Sequence, residues 1–401
     1  MKINDIAHLC GYFSTSDSGF AEKIAADPFW TPCLHTPEEV ENGSKYYFPE
    51  FVDLCMVKVK TFRHEFDEKI QVKTRGGEMK SALLTDIHVY VYPFGMVLYS
   101  IGLRQDDVLI TDSFDVLMSA RMLVSMSGDS DFVKVAIAPL DALRKMAGAE
   151  NLLESGNKFK IFRAVVVDSE VVDQQEFDGL LFSAGTMTMY DEADSMSFTK
   201  SYFESILSKG RLAVFRNWAS LSILDTYTIL AFQPKEFMLK SWENDYFSKL
   251  YLYSLFRKFF LFRLNNSFRE GNVRISRLKA ELESFESAYS FPMVSYNFLP
   301  ELVVKSMEAG LDIDYEKEKI SVMVTREKDR KEAETNDRMN LFLVVISFLT
   351  LFSAIWDFGC LMEGMHVFGD TIGSVEGFRA CTMLIVGLVC LVVFLTRKFR
   401  R

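Results

Sequence analysis

The chain has 401 residues, with 55 acidic and 45 basic side chains and a net charge of −10 at pH 7. It is long enough for a large core, and its acidic balance argues against a basic nucleic-acid-binding surface, so we expect no direct nucleic-acid partner. Six cysteines without CxxC spacing predict free thiols in a reducing compartment.

Residues 1–235 show mixed patterns, which predict an α+β (or α/β) domain. The first 50 residues contain four prolines and are expected to be irregular. Strand-like and helix-like patterns follow. The predicted strands are 52–62 and 69–74 (a possible hairpin), 86–103 (broken at Pro93–Gly95), 132–139 and 158–167, and the predicted helices are 113–126 and 139–148.

Residues 236–338 are predicted to form a helical stalk domain. The segment 242–268 is almost apolar enough to be mistaken for a membrane span, but each basic residue at mid-bilayer would cost roughly 2.5–3.5 kcal/mol. The basic residues of this segment are Lys249, Arg257, Lys258 and Arg263. We therefore predict a buried aromatic helix, with a helix on the membrane surface as the alternative.

A single long helix is predicted from Tyr315, because no proline or glycine occurs before Gly359. Its stretch 325–338 is polar all round, as in a solvated stalk supported by ion pairs between residues four apart. The expected pairs are Glu327–Lys331, Lys328–Glu332 and Arg330–Glu334. The alternative is a polar vestibule that leads ions towards Asn340.

The last sixty residues contain two apolar stretches that predict a transmembrane hairpin. Leu341–Trp356 and Ala380–Thr396 contain no charged residue. The predicted boundaries are transmembrane helix 1 at 339–362, an extracytoplasmic loop at 363–379, transmembrane helix 2 at 380–396 and a basic cytoplasmic tail at 397–401.

Basic residues flank the hairpin on one side of the membrane. Five lie between Arg326 and Arg338 and four in 397–401, whereas the connecting loop has Arg379 alone. The positive-inside rule then places both termini in the cytoplasm. The N-terminal residues lack the apolar segment of a signal peptide, so we expect no cleaved leader. The prediction is a multi-pass protein of the inner (plasma) membrane.

The first predicted span has a polar stripe. At 100° per residue, seven positions fall within about 100° of one another. They are Asn336, Asn340, Leu343, Ser347, Thr350, Ala354 and Asp357. An ionisable residue in a span usually faces a bundle interior or a water-filled cavity, so Asp357 could form a carboxylate ring that attracts cations. The alternative is that Asp357 lies at the outer headgroup boundary and ends the helix.

Two helices per chain cannot enclose an ion path, so a pore requires a homo-oligomer, a tetramer or a pentamer, in the lipid bilayer. The second span has fewer polar residues and is expected to face lipid. Three residues of the connecting loop are candidates for the outer mouth of the pore. They are Glu363, His366 and Asp370.

The order of these elements resembles the CorA family of divalent-cation transporters. Segment 335–359 is similar to the CorA stretch with its N-x-x-M-N and L-T pattern. The matching positions are Asn336, Met339, Asn340, Leu349 and Thr350. The resemblance covers about 65 residues well and the remainder by order of elements. It implies a CorA-like homo-oligomer and Mg²⁺ as a permeant ion or regulator, with no other cofactor expected.

The chain departs from this family at its Gly-Met-Asn signature. The corresponding place reads Phe358–Gly359–Cys360–Leu361, and no asparagine occurs in 341–401. Divergent CorA-like proteins without the signature occur in antiviral defence, including type III CRISPR loci, where a nucleotide second messenger such as SAM-AMP is taken to open the membrane protein. The resemblance therefore implies a ligand-gated channel, with a small nucleotide as its possible ligand.

Three other functions remain open at this stage. The first is a constitutive or metal-regulated transporter of Mg²⁺ or Co²⁺, and the second is a membrane-anchored binding protein without a pore. An enzyme is the third, and it has the least support because the soluble region contains no recognisable catalytic motif.

Overall fold

The computed structural model describes residues 1–74, 76–122, 130–150, 152, 158–269 and 275–364, together with residues 377, 380, 383, 384 and 387. The chain divides into two compact units, Met1–Ser321 and Val322–Arg401. The first, called the sheet unit here, is a mixed α/β domain, and a long helix with an apolar C-terminal part follows it. The predicted mixed α/β class and long helix are thus confirmed at this level.

A nine-stranded sheet forms the centre of the sheet unit, in the order β2-β3-β4-β5-β1-β6-β9-β8-β7 among the described residues. β6 and β9 pair in parallel, and the other neighbouring pairs are antiparallel. The strands are β1 (Lys2–Ser14), β2 (Thr31–Cys33), β3 (Lys60–Lys73), β4 (Met79–Tyr92), β5 (Met96–Leu109), β6 (Lys160–Val167), β7 (Arg211–Leu212), β8 (Trp218–Ser222) and β9 (Thr226–Phe232).

Twelve α-helices are present in the described part of the chain. They are α1 (Phe20–Ala25), α2 (Pro37–Ser44), α3 (Pro49–Val52), α4 (Ile110–Arg121), α5 (Ala138–Met146), α6 (Gln174–Thr186), α7 (Lys200–Gly210), α8 (Glu236–Ser241), α9 (Leu252–Arg269), α10 (Ile275–Tyr289), α11 (Phe298–Gly310) and α12 (Ile313–Gly364). Wider π-helical turns form Asp53–Lys58, Val133–Ile137 and Trp242–Tyr251, and the last of these runs directly into α9.

Helices cover both faces of the sheet, as the alternating side chains of β1 show. Ala7 and Leu9 belong to the apolar core that also includes residues of α4, α5 and α6. On the other face, His8 stacks on Phe247 and Tyr12 stacks on Phe259, with ring centroids 3.8 and 4.2 Å apart. The aromatic segment 242–268 therefore packs against the sheet, as predicted for a buried helix.

Three predictions about the sheet unit are wrong. The first 50 residues are not irregular, because they include β1, a central strand whose burial on both faces weakens the alternation that marks a strand. Residues 52–62 and 69–74 do not form a hairpin. Asp53–Lys58 is helical and β3 is one continuous strand that pairs with β4. The apolar run 132–139 is helical, since short apolar runs do not distinguish helix from buried strand.

Other local predictions are confirmed. The β-rich stretch 86–103 does break at Pro93–Gly95, where a tight turn joins the paired strands β4 and β5. Phe94 and Gly95 have φ values of 60° and 65° in this turn, a left-handed conformation that glycine adopts at no steric cost. Gly148, with φ of 73°, follows the end of α5 as a helix-terminating glycine should.

Candidate functional site

The seven predicted pore-lining residues all lie on α12, a continuous helix of 52 residues. Every one of them is exposed within the single chain. The Thr350 hydroxyl lies 2.9 Å from the Ser347 carbonyl oxygen and 3.1 Å from that of Ile346, so its proton is directed back to the helix. These seven positions are called the polar face below. Their lining of a pore stays a prediction.

The surface of α12 outside the polar face carries large apolar side chains that the chain itself leaves exposed. Eight of them lie between residues 341 and 352. They are Leu341, Phe342, Val344, Val345, Ile346, Leu349, Leu351 and Phe352. Among the described residues, α12 is the one helix long and apolar enough to cross a membrane, and none of its most apolar window is buried. This exposed apolar surface indicates membrane association, because its contact with water is unfavourable and its contact with lipid is not.

The predicted outer mouth and second span are only partly described. Glu363 lies in the last turn of α12, whereas His366 and Asp370 lie outside the described residues. Residues 380, 383, 384 and 387 are helical, and the remainder of 380–396 lies outside the described residues, as does the tail 397–401.

The polar stretch before the span has two of the three expected ion pairs. Lys328 lies 3.6 Å from Glu332, and Arg330 lies 3.8 Å from Glu334. Glu327, expected to pair with Lys331, instead accepts a hydrogen bond of 2.8 Å from Arg330. Such exposed pairs are each worth a few tenths of a kcal/mol.

The first turns of α12 are held inside the sheet unit. Ile313, Glu316 and Ile320 are spaced on one helical face, and each is buried. The Glu316 carboxylate accepts hydrogen bonds from Lys258 Nζ at 3.2 Å and from Asn265 Nδ2 at 2.6 Å. The side chains of Lys258 and Glu316 are 8% and 9% exposed. We call this arrangement the root of α12.

Further ion pairs connect α9 and α10 to the helices around the root. Arg257 pairs with Glu308 of α11, Arg263 of α9 pairs with Glu281 of α10, and Lys317 lies 2.6 Å from Glu286 of α10. Lys249, the remaining basic residue of segment 242–268 discussed above, lies 2.6 Å from Asp245. All four basic residues that argued against a span thus have carboxylate partners in the soluble fold.

Burial affects the ionisation of this network. Burial raises the pKa of the Glu308 carboxyl, although the nearby Arg257 guanidinium acts in the opposite direction. Burial also lowers the pKa of Arg263, which Glu281 partly offsets. The network is therefore partly desolvated, and removal of one partner would leave a charge without compensation.

The root was not predicted from the sequence. A signal existed, because Ile313, Glu316 and Ile320 repeat at helical spacing just before the polar stretch. The partner of Glu316, however, lies 58 residues earlier and could not be identified from local spacing.

The described residues contain no group of three or more histidine, cysteine, aspartate or glutamate side chains arranged to hold a metal ion. The role of Mg²⁺ as a permeant ion or regulator therefore stays a prediction. No family model, curated protein or solved structure matches this chain.

Proposed function

We propose that this chain is the subunit of a CorA-like oligomeric membrane cation channel that its sheet unit gates. One observation carries the proposal: α12 extends without a break from its ion-paired root to an exposed apolar segment that has a polar face. A helix of this composition needs lipid on one side and water on the other.

The polar face suits a path shared by several subunits. In a homo-oligomer, a tetramer or a pentamer, the seven residues of each copy would surround one axis. Asp357 would then contribute one carboxylate per subunit, and a ring of carboxylates favours cations over anions. The eight exposed apolar residues outside the polar face would face the second span or lipid.

We propose a multi-pass hairpin in the inner membrane with both termini cytoplasmic. The basic residues before 339 and after 396 support this orientation. The sheet unit would then be a cytoplasmic sensor, and Glu363, His366 and Asp370 would lie at the outer mouth.

A ligand-gated channel is preferred over a transporter because the Gly-Met-Asn signature is replaced by Phe358–Gly359–Cys360–Leu361. Without the asparagine, the ring that would replace part of the Mg²⁺ hydration shell in the CorA family cannot form. A nucleotide second messenger such as SAM-AMP, acting in antiviral defence, is the gating ligand that the resemblance suggests. The alternative is a divalent-cation transporter of CorA type.

The test is the current carried by the purified full chain in planar bilayers. We expect Asp357→Asn to lower the preference for cations over anions while the oligomer keeps its size. Asp329→Asn removes an exposed carboxylate from the polar stretch of the same helix and serves as the matched control. Equal ion selectivity in Asp357→Asn and wild type would remove Asp357 from the pore, and a monomer in detergent would refute the channel.

A second experiment separates the channel from the transporter. A strain that lacks its own Mg²⁺ uptake would express the chain as its sole route for this ion. Growth under these conditions would favour the transporter. Absence of growth, combined with ligand-dependent current in bilayers, would favour the gated channel.

A further inference from the structure

A cleft of 510 Å³ lies in the sheet unit, between the loop after β1 and the helices α9 and α10. Its walls include the loop residues Ser16 and Ser18, Ser267 of α9 and Arg277 of α10. The turn at Phe94–Gly95 lies beside it. The cleft shares no residue with the polar face or with the root.

The loop after β1 has a defined conformation. The Thr15 amide donates to the Gly95 carbonyl oxygen at 2.8 Å, which fixes the loop to the turn between β4 and β5. Asp17 Oδ1 accepts from the Gly19 amide at 2.9 Å, and Asp17 Oδ2 lies 2.6 Å from Lys23 Nζ. The Asp17 carboxylate is therefore compensated within its own loop.

Two serine hydroxyls of this loop, in contrast, are not engaged by the fold, whereas the Thr15 hydroxyl accepts a hydrogen bond of 3.1 Å from the Asp17 amide. Ser16 and Ser18 are exposed, and neither hydroxyl makes a hydrogen bond to another described residue. The same holds for the half-buried Ser267 on the opposite wall. Three donors thus line the cleft with their hydrogen-bonding capacity available to a ligand.

One basic side chain on the opposite wall has no acidic partner among the described residues. Arg263 pairs with Glu281 and also donates to the Phe94 carbonyl oxygen at 2.8 Å. Arg277 is exposed at the cleft and forms no ion pair with any described residue. Since Asp17 is paired with Lys23 and Glu281 with Arg263, the Arg277 guanidinium is the one charged group among the described lining residues that has no partner of opposite charge.

We propose that this cleft binds a small molecule through its phosphate group, with Arg277 as the principal contact. A guanidinium presents a planar fork of donors that matches two phosphate oxygens, and serine hydroxyls donate to the remaining oxygen. Leu264 and Leu278, which are almost fully buried, form the apolar floor of the cleft. The volume suits a sugar phosphate or a nucleotide rather than a macromolecule.

The position of the cleft connects it with the root of α12. Arg263 is two residues from Asn265, which donates to Glu316, and Arg277 is on α10, whose Glu286 pairs with Lys317. A ligand held between the loop and these helices would bias the elements that hold the root. This regulatory role rests on the proposed channel function, whereas the binding site does not.

The test is calorimetric titration of the detergent-solubilised full chain with ribose 5-phosphate, inorganic phosphate and ribose. We expect ribose 5-phosphate to bind, inorganic phosphate to compete with it, and ribose to bind far more weakly. Arg277→Gln should weaken binding of ribose 5-phosphate at least about 10-fold, because a hydrogen-bonded charge is lost. Arg277→Lys should retain part of the affinity.

The matched control is Arg216→Gln, which removes an exposed arginine outside the cleft and should leave the affinity unchanged. Ser18→Ala, a second variant at the exposed loop, should weaken binding by a smaller factor. The site is refuted if ribose binds as tightly as ribose 5-phosphate, if ribose 5-phosphate does not bind, or if Arg277→Gln binds it like wild type. Because no current is measured, failure of the channel proposal would leave this result standing.

Discussion

Removal of the Glu316 carboxylate tests the root of α12 directly. Lys258 and Glu316 are each less than one tenth exposed, and their charged atoms lie 3.2 Å apart. In Glu316→Ala, the Lys258 ammonium remains buried without a counter-charge, and Asn265 loses an acceptor. Breaking a buried pair in this way typically costs roughly 3–5 kcal/mol. We expect a loss of this size in the free energy of unfolding of the sheet unit.

Urea unfolding of the full chain in detergent, followed by tryptophan fluorescence, measures this loss. Three of the four tryptophans, Trp30, Trp218 and Trp242, are buried in the sheet unit and report its unfolding. Glu318→Ala is the matched control, because Glu318 is exposed two positions further along α12. Its effect should stay within about 0.5 kcal/mol.

A charge-free double variant separates electrostatics from packing at the root. In Lys258→Met/Glu316→Leu no charge is buried, and such replacements are often neutral or stabilising. The double variant should therefore regain most of the stability that Glu316→Ala loses. Equal unfolding midpoints for Glu316→Ala and Glu318→Ala, or a double variant no more stable than the single one, would contradict the buried ion pair.

Two further predictions concern the centre of the sheet. Burial lowers the pKa of His8 from 6.5 to about 4, and neither ring nitrogen has a hydrogen-bond partner among the described residues. The unfolded chain therefore gains this proton at higher pH than the folded chain, so stability should fall by roughly 3 kcal/mol between pH 6.5 and pH 4. His8→Phe, which keeps the stack on Phe247, should show a smaller decline in acid urea titrations, and an identical pH profile would contradict this assignment. A Cβ on Gly102 would lie 2.3 Å from Thr85 Oγ1, so Gly102→Ala should destabilise by about 1–3 kcal/mol. Gly179→Ala, with no atom near its added methyl, should instead stabilise α6 by roughly 0.5–1 kcal/mol in the same assay, and equal effects would refute the steric argument.

Local patterns predicted the helical part of the fold well. The change to helices after residue 236, the aromatic segment 242–268 and the unbroken α12 follow from the spacing of apolar residues and the positions of proline and glycine. The sheet was harder, because its strands are long and paired across large separations. Asp5 and Arg163 form a fully buried ion pair between β1 and β6, although 158 residues separate them.

The same distinction applies to the polar face, the cleft and the root. The polar face of α12 is periodic within one helix, so a sequence of 22 residues, 336–357, is sufficient to predict it. The cleft and the root instead depend on contacts between distant segments. Arg277 looks like any solvated helix residue until the loop at Ser16–Ser18 is placed opposite it. Glu316 looks like one acidic residue among many until Lys258 and Asn265 surround it. A functional residue can therefore be read from local sequence when its role depends on helical periodicity. When its role depends on contacts between distant segments, the fold must be known first.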